Sequence, residues 1–173
     1  RQNKLISSKS KKMAKINQEL DKRVKERTKT LQMTQYAVDM ATDPIFVVKD
    51  DGTISYCNEA TLFLLGYNRH SISELKFFEI VKNFSEELWQ DYAKRIIQRG
   101  SYTIELVFVS QSDDFVTMEV AFNSRAYEEN HRIYAFCRNI EERKRNEKLL
   151  LAEKEKAERS DRLKSAFLAN MSH

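Results

Sequence analysis

Residues 43–67 read DPIFVVKDDGTISYCNEATLFLLGY, and this stretch decides the fold. Residues 45–48 and 53–57 are rich in β-branched and aromatic side chains, and the Lys-Asp-Asp-Gly between them is typical of a tight turn. The two runs therefore predict a β-hairpin. A helix is predicted directly afterwards, over residues 58–65, with Asn58 as its N-cap and Gly66 at its end.

Working outward, the sequence up to residue 140 predicts helices first and then three more strands. Short helical turns are predicted over 73–81, and a longer helix over 85–100 that Ser85 is placed to cap. Alternating apolar residues predict strands over 102–109 and 115–123, and a further strand is predicted over 132–140. The last strand is apolar on both faces, which is typical of an interior strand. This order predicts an α+β domain whose five-stranded antiparallel sheet carries helices on one face.

The order of these elements, together with several short motifs, resembles the PAS sensor domain. The matching motifs are Asp43-Pro44-Ile45-Phe46-Val47, Asp51-Gly52-Thr53-Ile54, Asn58-Glu59-Ala60, Leu65-Gly66-Tyr67 and Cys137-Arg138-Asn139-Ile140-Glu141-Glu142-Arg143-Lys144. The resemblance implies a PAS fold whose signal leaves through Asn139, Ile140 and Glu141. PAS domains commonly place Asp-Ile-Thr at that exit. Because Asn139 carries no charge, we expect a weaker salt bridge to the following helix and therefore different contacts at the joint.

Long helices are predicted on both sides of this domain, since the chain has only three glycines and one proline. In the first, over about 11–41, the apolar residues form a narrow stripe: Met13, Ile16, Leu20, Val24, Leu31 and Val38. One helix cannot bury such a stripe alone, so it predicts a coiled coil; an amphipathic helix packed on its own domain is the alternative. The second helix has two competing seams, one with Leu149, Ala152, Leu163 and Phe167, the other with Leu150, Ala157, Lys164 and Met171.

The chain is thus predicted to have three parts. They are a basic N-terminal signalling helix and coiled coil (1–35), a PAS sensor domain (36–140), and a coiled-coil linker with the start of a dimerisation helix (141–173). The first part carries 11 basic and 3 acidic side chains, the second 10 and 16, and the third 9 and 7. An acidic middle domain argues against nucleic-acid binding. The basic start favours a cytoplasmic position beside a membrane, in the cytoplasmic part of an inner-membrane protein, but a soluble protein with another upstream domain would look the same.

The chain ends on Ser165-Ala166-Phe167-Leu168-Ala169-Asn170-Met171-Ser172-His173, which resembles the phospho-acceptor box of sensor histidine kinases. The resemblance implies that His173 accepts a phosphoryl group and that an acidic residue directly after it acts as base. At 100° per residue, His173 shares a helix face with small and polar residues and points away from Phe167 and Met171. That position leaves its imidazole open to a partner protein, as the chemistry requires. Without the ATP-binding domain, we expect this chain to be inactive alone.

The interior of the PAS domain is a second candidate site. An aromatic set is placed to line a pocket there, although it also fits an ordinary core, which we favour: Phe63, Tyr67, Phe78, Trp89, Tyr92, Phe108 and Phe122. The resemblance implies haem, flavin, a metabolite or no ligand. Residues 85–99 lack the histidine of haem-binding members, His70 lies in a predicted loop, and the flavin-linked Asn-Cys-Arg is missing. We expect no covalent cofactor and no metal, with the ligand unknown, and Cys57 and Cys137 as buried apolar groups in a reducing compartment.

The sequence therefore predicts the sensory and dimerising part of a two-component sensor histidine kinase, which would use ATP and Mg²⁺ in its full form. We expect a parallel homodimer that passes its phosphoryl group from His173 to the receiver domain of a response regulator. Two alternatives stay open. One is a non-enzymatic PAS dimerisation module, and the other is the regulator of a PAS-linked nucleotide cyclase.

Overall fold

A computed structural model describes residues 2–127 and 130–172 of the chain. The chain divides into two compact units, residues 1–42 and 43–173. The first unit is a long helix, α1 (Gln2–Asp39). It begins earlier than the predicted residue 11, because the polar sequence before that point contains neither glycine nor proline and so nothing that interrupts a helix.

The apolar stripe predicted along α1 is exposed within its own unit. Met13, Ile16, Leu20, Val24 and Leu31 all remain accessible to solvent. Polar contacts within the helix are local and exposed, such as the ion pair of Arg23 with Glu19 at 3.1 Å. The helix by itself therefore does not bury its apolar stripe.

The second unit has the predicted strands and helices in the predicted order, with one additional short helix, Arg69–Ser73. Its elements are β1 (Ile45–Lys49), β2 (Ile54–Cys57), α2 (Glu59–Leu65), α3 (Arg69–Ser73), a 3₁₀ helix (Phe77–Ile80), α4 (Glu86–Arg99), β3 (Ser101–Val109), β4 (Phe115–Tyr127), β5 (Asn130–Asn139) and α5 (Glu141–Met171). The predicted α+β class, with a five-stranded sheet and a helix at each end of the chain, is confirmed.

The sheet is antiparallel and has the strand order β2-β1-β5-β4-β3. The central strand β5 pairs Ala135 with Phe46 of β1 on one side and Cys137 with Val120 of β4 on the other. The chain between β2 and β3 forms the short helices and α4, and α4 packs on β3, β4 and β5. The central place of β5 explains why its sequence is apolar on both faces.

The hairpin of β4 and β5 is longer than the sequence predicted. β4 continues to Tyr127 and β5 begins at Asn130, beyond the predicted limits of 123 and 132. These added residues lack apolar alternation, but backbone pairing continues through Arg125 opposite Arg132. The guanidinium of Arg132 also lies 5.3 Å from the ring centre of Tyr127. Backbone pairing and this cation–π contact extend the hairpin, and neither is visible as a hydrophobic period.

Helix α3 occupies a position where the sequence analysis placed a loop, so that assignment for His70 was wrong. Asn68 caps the helix, since its Oδ1 accepts a hydrogen bond from the Ser71 N–H at 2.8 Å. His70 is exposed on α3, with its Nε2 3.5 Å from a carboxylate oxygen of Glu74. Its surroundings are those of a surface residue.

The turn between β1 and β2 requires glycine at its last position. Gly52 has a φ of +83°, and a Cβ there would lie 2.7 Å from Cε1 of Phe78. The Gly52 N–H donates to the carbonyl of Lys49 at 3.0 Å, and its own carbonyl accepts from the Phe77 N–H at 2.8 Å. The turn thereby holds the 3₁₀ helix against the hairpin and directs Phe77 into the interior.

Candidate functional site

A cluster of aromatic rings lies between the sheet and the helices, with Phe77 at its centre. The ring centre of Phe77 is 5.5 Å from that of Phe46, 5.2 Å from Trp89, 5.7 Å from Phe108 and 5.8 Å from Phe122. All five side chains are buried. Three of these pairs meet edge to face, which is a favourable arrangement for aromatic rings. The cluster joins β1, the 3₁₀ helix and α4 to β3 and β4.

Six of the seven aromatic residues predicted for the interior belong to the buried core or pack against it. Three of them are fully buried and three pack partly buried against the core: Trp89, Phe108 and Phe122, then Tyr67, Phe78 and Tyr92. Phe63 is separate from them and is 93% exposed. The buried face of α2 carries Thr61 and Leu65 instead, so Phe63 points to solvent.

Two central residues, Phe46 and Phe77, were missing from the predicted set. The alternation of β1 could have identified Phe46, because Phe46 and Val48 are buried in turn while Ile45 and Val47 are not fully so. Phe77 stands next to Phe78 in a 3₁₀ helix of four residues. A segment that short has no period from which to decide which of two adjacent rings points inward.

Polar groups at the rim of the cluster are hydrogen-bonded to the main chain. Trp89 donates from Nε1 to the carbonyl of Asp50 at 2.9 Å, and the Tyr67 hydroxyl donates to the carbonyl of Val109 at 3.4 Å. Burial raises the pKa of Tyr67, and the nearby charge of Asp113 raises it further, so the phenol stays protonated. Each of these polar tips already has an acceptor in the protein.

Cys57 and Cys137 are free thiols, and both are buried. Burial raises the pKa of Cys137, and the carboxylate of Asp43 raises it further, so this thiol stays protonated at neutral pH. It therefore packs as a small apolar group. Within the described part of the chain, no group of three or more His, Cys, Asp or Glu residues is arranged to hold a metal ion.

Asn58 fastens β1 to the start of α2. Its side chain is fully buried, and its Oδ1 accepts from the Ile45 N–H at 3.0 Å and from the Thr61 N–H at 3.2 Å. Its Nδ2 donates to the carbonyl of Asp43 at 3.0 Å. The N-cap predicted from sequence is confirmed, and it also bonds the strand beside its helix.

The predicted exit residues Asn139, Ile140 and Glu141 connect β5 to α5. Ile140 is 1% exposed, and its N–H donates to the carbonyl of Thr117 at 3.1 Å. Asn139 Oδ1 accepts the Glu141 N–H at 2.9 Å, an arrangement typical of an Asx turn. The carboxylate of Glu141 accepts the Thr117 N–H at 3.4 Å. The joint thus rests on one buried side chain and three hydrogen bonds.

Two basic residues of α5 add contacts at this joint that the sequence analysis missed. The guanidinium of Arg143 lies 3.6 Å from carboxylates of both Glu105 and Glu119, and Lys144 forms an ion pair with Glu105. Glu105 and Glu119 stand directly opposite each other on β3 and β4. Carboxylates in that position repel each other, and the two cations offset the repulsion. Sequence spacing cannot reveal these pairs, because the partners lie far apart in the chain.

α5 (Glu141–Met171) contains no buried residue. Both predicted seams are therefore exposed, from Leu149 and Leu150 to Phe167 and Met171. The predicted acceptor His173 lies outside the described residues. None of the helices formed by residues 2–127 and 130–172 is long and apolar enough to cross a membrane.

The chain belongs to the PAS family. The family's sequence model, described as PAS fold, matches residues 32–140, which is more than half of the chain. This match includes the sheet, the aromatic cluster and the first two residues of the predicted exit, Asn139 and Ile140. No curated protein matches the chain at a significant level.

Solved structures of PAS domains have the same fold. The PAS domain of an HTR-like protein from Haloarcula marismortui is 22% identical, with a TM-score of 0.65 over 69% of this chain and 99% of that one. A PAS domain from a two-component sensor histidine kinase is 21% identical, with a TM-score of 0.58 over 65% and 98%. A domain of a sensory box sensor histidine kinase/response regulator from Geobacter sulfurreducens is 18% identical, with a TM-score of 0.54 over 64% and 94%. At these identities the likeness shows the fold.

Proposed function

We propose that this chain is the cytoplasmic sensory and dimerisation fragment of a two-component sensor histidine kinase. The observation that carries the proposal is the continuity of the exit: β5 leads through the buried Ile140 into a helix of 31 residues. The acceptor-like sequence, residues 165–173, begins within that helix, which is described to Met171. The similar PAS domains that come from sensor histidine kinases also support it.

In this mechanism, a signal alters the packing of the PAS domain and the exit helix carries the change to His173. The neutral imidazole of His173 would accept the γ-phosphoryl group of ATP, which an ATP-binding domain of the parent protein presents with Mg²⁺. A receiver domain would then take the phosphoryl group from His173. The exposed apolar residues of α1 and α5 support a parallel homodimer. The basic N-terminal part supports a place beside the inner membrane.

Phosphorylation of the parent kinase tests the acceptor assignment. His173→Gln removes the nucleophilic imidazole, so we expect no incorporation of label from radioactive ATP. Ser172→Ala changes the neighbouring residue and should leave labelling intact, which makes it the matched control. Label that persists in the His173→Gln protein would contradict the assignment.

A non-enzymatic PAS dimerisation module is the second candidate function. The same exposed apolar residues of α1 and α5 favour it, because a helical zipper needs no chemistry. A parent protein that takes up no label even with its natural sequence intact would favour this candidate.

The interior is proposed to hold no covalent cofactor. The contacts of Phe77 with four buried rings support this, because a haem or flavin would have to displace them. An absorbance spectrum of the purified protein is the measurement. A haem or flavin band would contradict the proposal.

A further inference from the structure

The first turns of α5 are held to the sheet by charge more than by apolar burial. Ile140 is buried just before the helix, whereas α5 itself has no buried residue. Beyond Ile140 and the hydrogen bond between Glu141 and Thr117, the helix meets the sheet through four charged side chains, Glu105, Glu119, Arg143 and Lys144, which we call the charge clamp. It joins the helix to two different strands, β3 and β4.

The charge clamp contains two cations and two anions in mutual contact. Arg143 lies 3.6 Å from both glutamates, and Lys144 bonds the Glu105 carboxylate. Arg143 is also 3.9 Å from Glu147, one turn further along α5. The four clamp side chains are all between 35% and 48% exposed, so water and salt reach every member.

We propose that the charge clamp fixes the docking of the exit helix and that ionic strength opens it. Dissolved salt screens exposed charges over about 10 Å at 0.1 M and about 3 Å at 1 M. Exposed ion pairs are weak singly and lose strength with salt, so the clamp loosens while the hydrogen bonds of Asn139 and Glu141 remain. The proposal concerns the docked helix alone and holds whether or not the parent is a kinase.

A loosened clamp would have a large effect at the far end of α5. A helix of 31 residues is about 46 Å long at 1.5 Å per residue, so a tilt of about 10° at its start moves its end by roughly 8 Å. A change in salt concentration would thereby move the distal end of the helix without any ligand in the PAS interior.

Pulsed EPR between two spin labels tests the proposal. Ser101→Cys on β3 and Ala152→Cys on α5 give two exposed labelling sites, and the native thiols are buried and should stay unlabelled. Mixing the labelled protein with an excess of unlabelled protein suppresses the distances between labels on different copies of the chain. We expect one narrow distance distribution at about 0.1 M NaCl and a distribution at least about twice as wide at 1 M.

Charge reversals separate the clamp from general salt effects. Glu105→Lys and Lys144→Glu should each widen the distribution at low salt. The double variant should narrow it in part, because the pair of residues 105 and 144 is restored with reversed signs while Arg143 keeps its contact with Glu119. Arg145→Glu makes the same charge change on the next residue, which forms no ion pair with a described residue. Its distance distribution should match that of the wild type. A wild-type width unaffected by salt, or a double variant as wide as the single ones, would overturn the proposal. Thermal unfolding of each variant checks that the PAS domain is folded.

Discussion

Single polar residues decide how the short helices are fixed to the sheet. Asn58 and Asn68 have the same local role. Each caps a helix by accepting a hydrogen bond from the main-chain N–H three residues ahead. The tertiary structure makes them different, since Asn58 is buried and also bonds Ile45 and Asp43, whereas Asn68 is exposed. Identical local signals can therefore have unequal energetic weight.

We predict that Asn58→Ala lowers the free energy of unfolding by about 2–4 kcal/mol, because it removes a cap and, at a fully buried position, the side-chain hydrogen bonds to Asp43, Ile45 and Thr61. Asn68→Ala, the matched exposed cap, should cost about 1 kcal/mol or less. Urea unfolding of both variants measures the difference. Equal losses would show that the bonds from Asn58 to β1 carry no weight.

We predict that Asp51 makes stability depend on pH in the acid range. Partial burial acts to raise the pKa of Asp51, but hydrogen bonds from the Thr53 amide and hydroxyl and from Lys76 outweigh it and lower the pKa from 3.8 to about 2. Because the folded pKa lies below the unfolded value, the stabilisation is present above about pH 4 and is lost as the pH falls to about 2.

The carboxylate of Asp51 is more than half exposed, so after screening we expect it to contribute about 1 kcal/mol. Asp51→Asn should therefore be less stable than the wild type by about that amount at pH 7, and the two should converge near pH 2. Urea unfolding at several pH values gives both curves. A difference that stays constant down to pH 2 would be inconsistent with this role.

At the scale of elements, the joint between β5 and α5 shows where sequence patterns stop being informative. The strand and the helix were both predicted, as were the three residues between them. The contacts that hold the joint come from β3 and β4, through Glu105, Thr117 and Glu119. Nothing in the sequences of β3 and β4 indicates that these residues contact a helix far along the chain.

We predict that Ile140→Ala destabilises the PAS domain by about 2–4 kcal/mol, since it leaves a cavity at a fully packed position. Leu149→Ala removes a 59% exposed side chain from the same helix and should change the stability by less than about 0.5 kcal/mol. Fluorescence of Trp89, the chain's single tryptophan, follows unfolding at low protein concentration. Similar losses for both would mean that α5 packs on the domain well beyond its first turns.

At the level of the whole chain, the unit of residues 1–42, which contains the long helix α1, is separate from the unit that holds the sheet. The large apolar side chains of α1, such as Leu31 and Met33, are exposed and are not part of a hydrophobic core. Val24 and Leu31 are spaced seven residues apart and belong to the apolar stripe. Met33 lies about 200° around the helix from Leu31, on another face. If α1 pairs with α1 of a second copy, the face with Val24 and Leu31 forms the interface and the face with Met33 does not.

We predict that the natural chain sediments as a dimer at tens of micromolar and that Leu31→Lys raises the dissociation constant at least about tenfold, because a charge would enter the seam. Met33→Lys adds the same charge at a similarly exposed position, 65% against 70%, and should leave the association unchanged. Analytical ultracentrifugation compares the three proteins. A natural chain that is monomeric in this range contradicts the dimer, and equal weakening by both variants contradicts the seam.

The amino-acid sequence alone was enough to predict the order of the five strands, the β1–β2 turn, the Asn58 cap and the central place of β5. Each of these rests on patterns of a few neighbouring residues, and their physical causes act over that same short range. The packed structure was needed to show that Phe77 points inward and Phe63 outward, and that Arg143 and Lys144 meet two strand carboxylates. Those outcomes depend on contacts between residues remote in sequence, which form only when the sheet and helices are packed together.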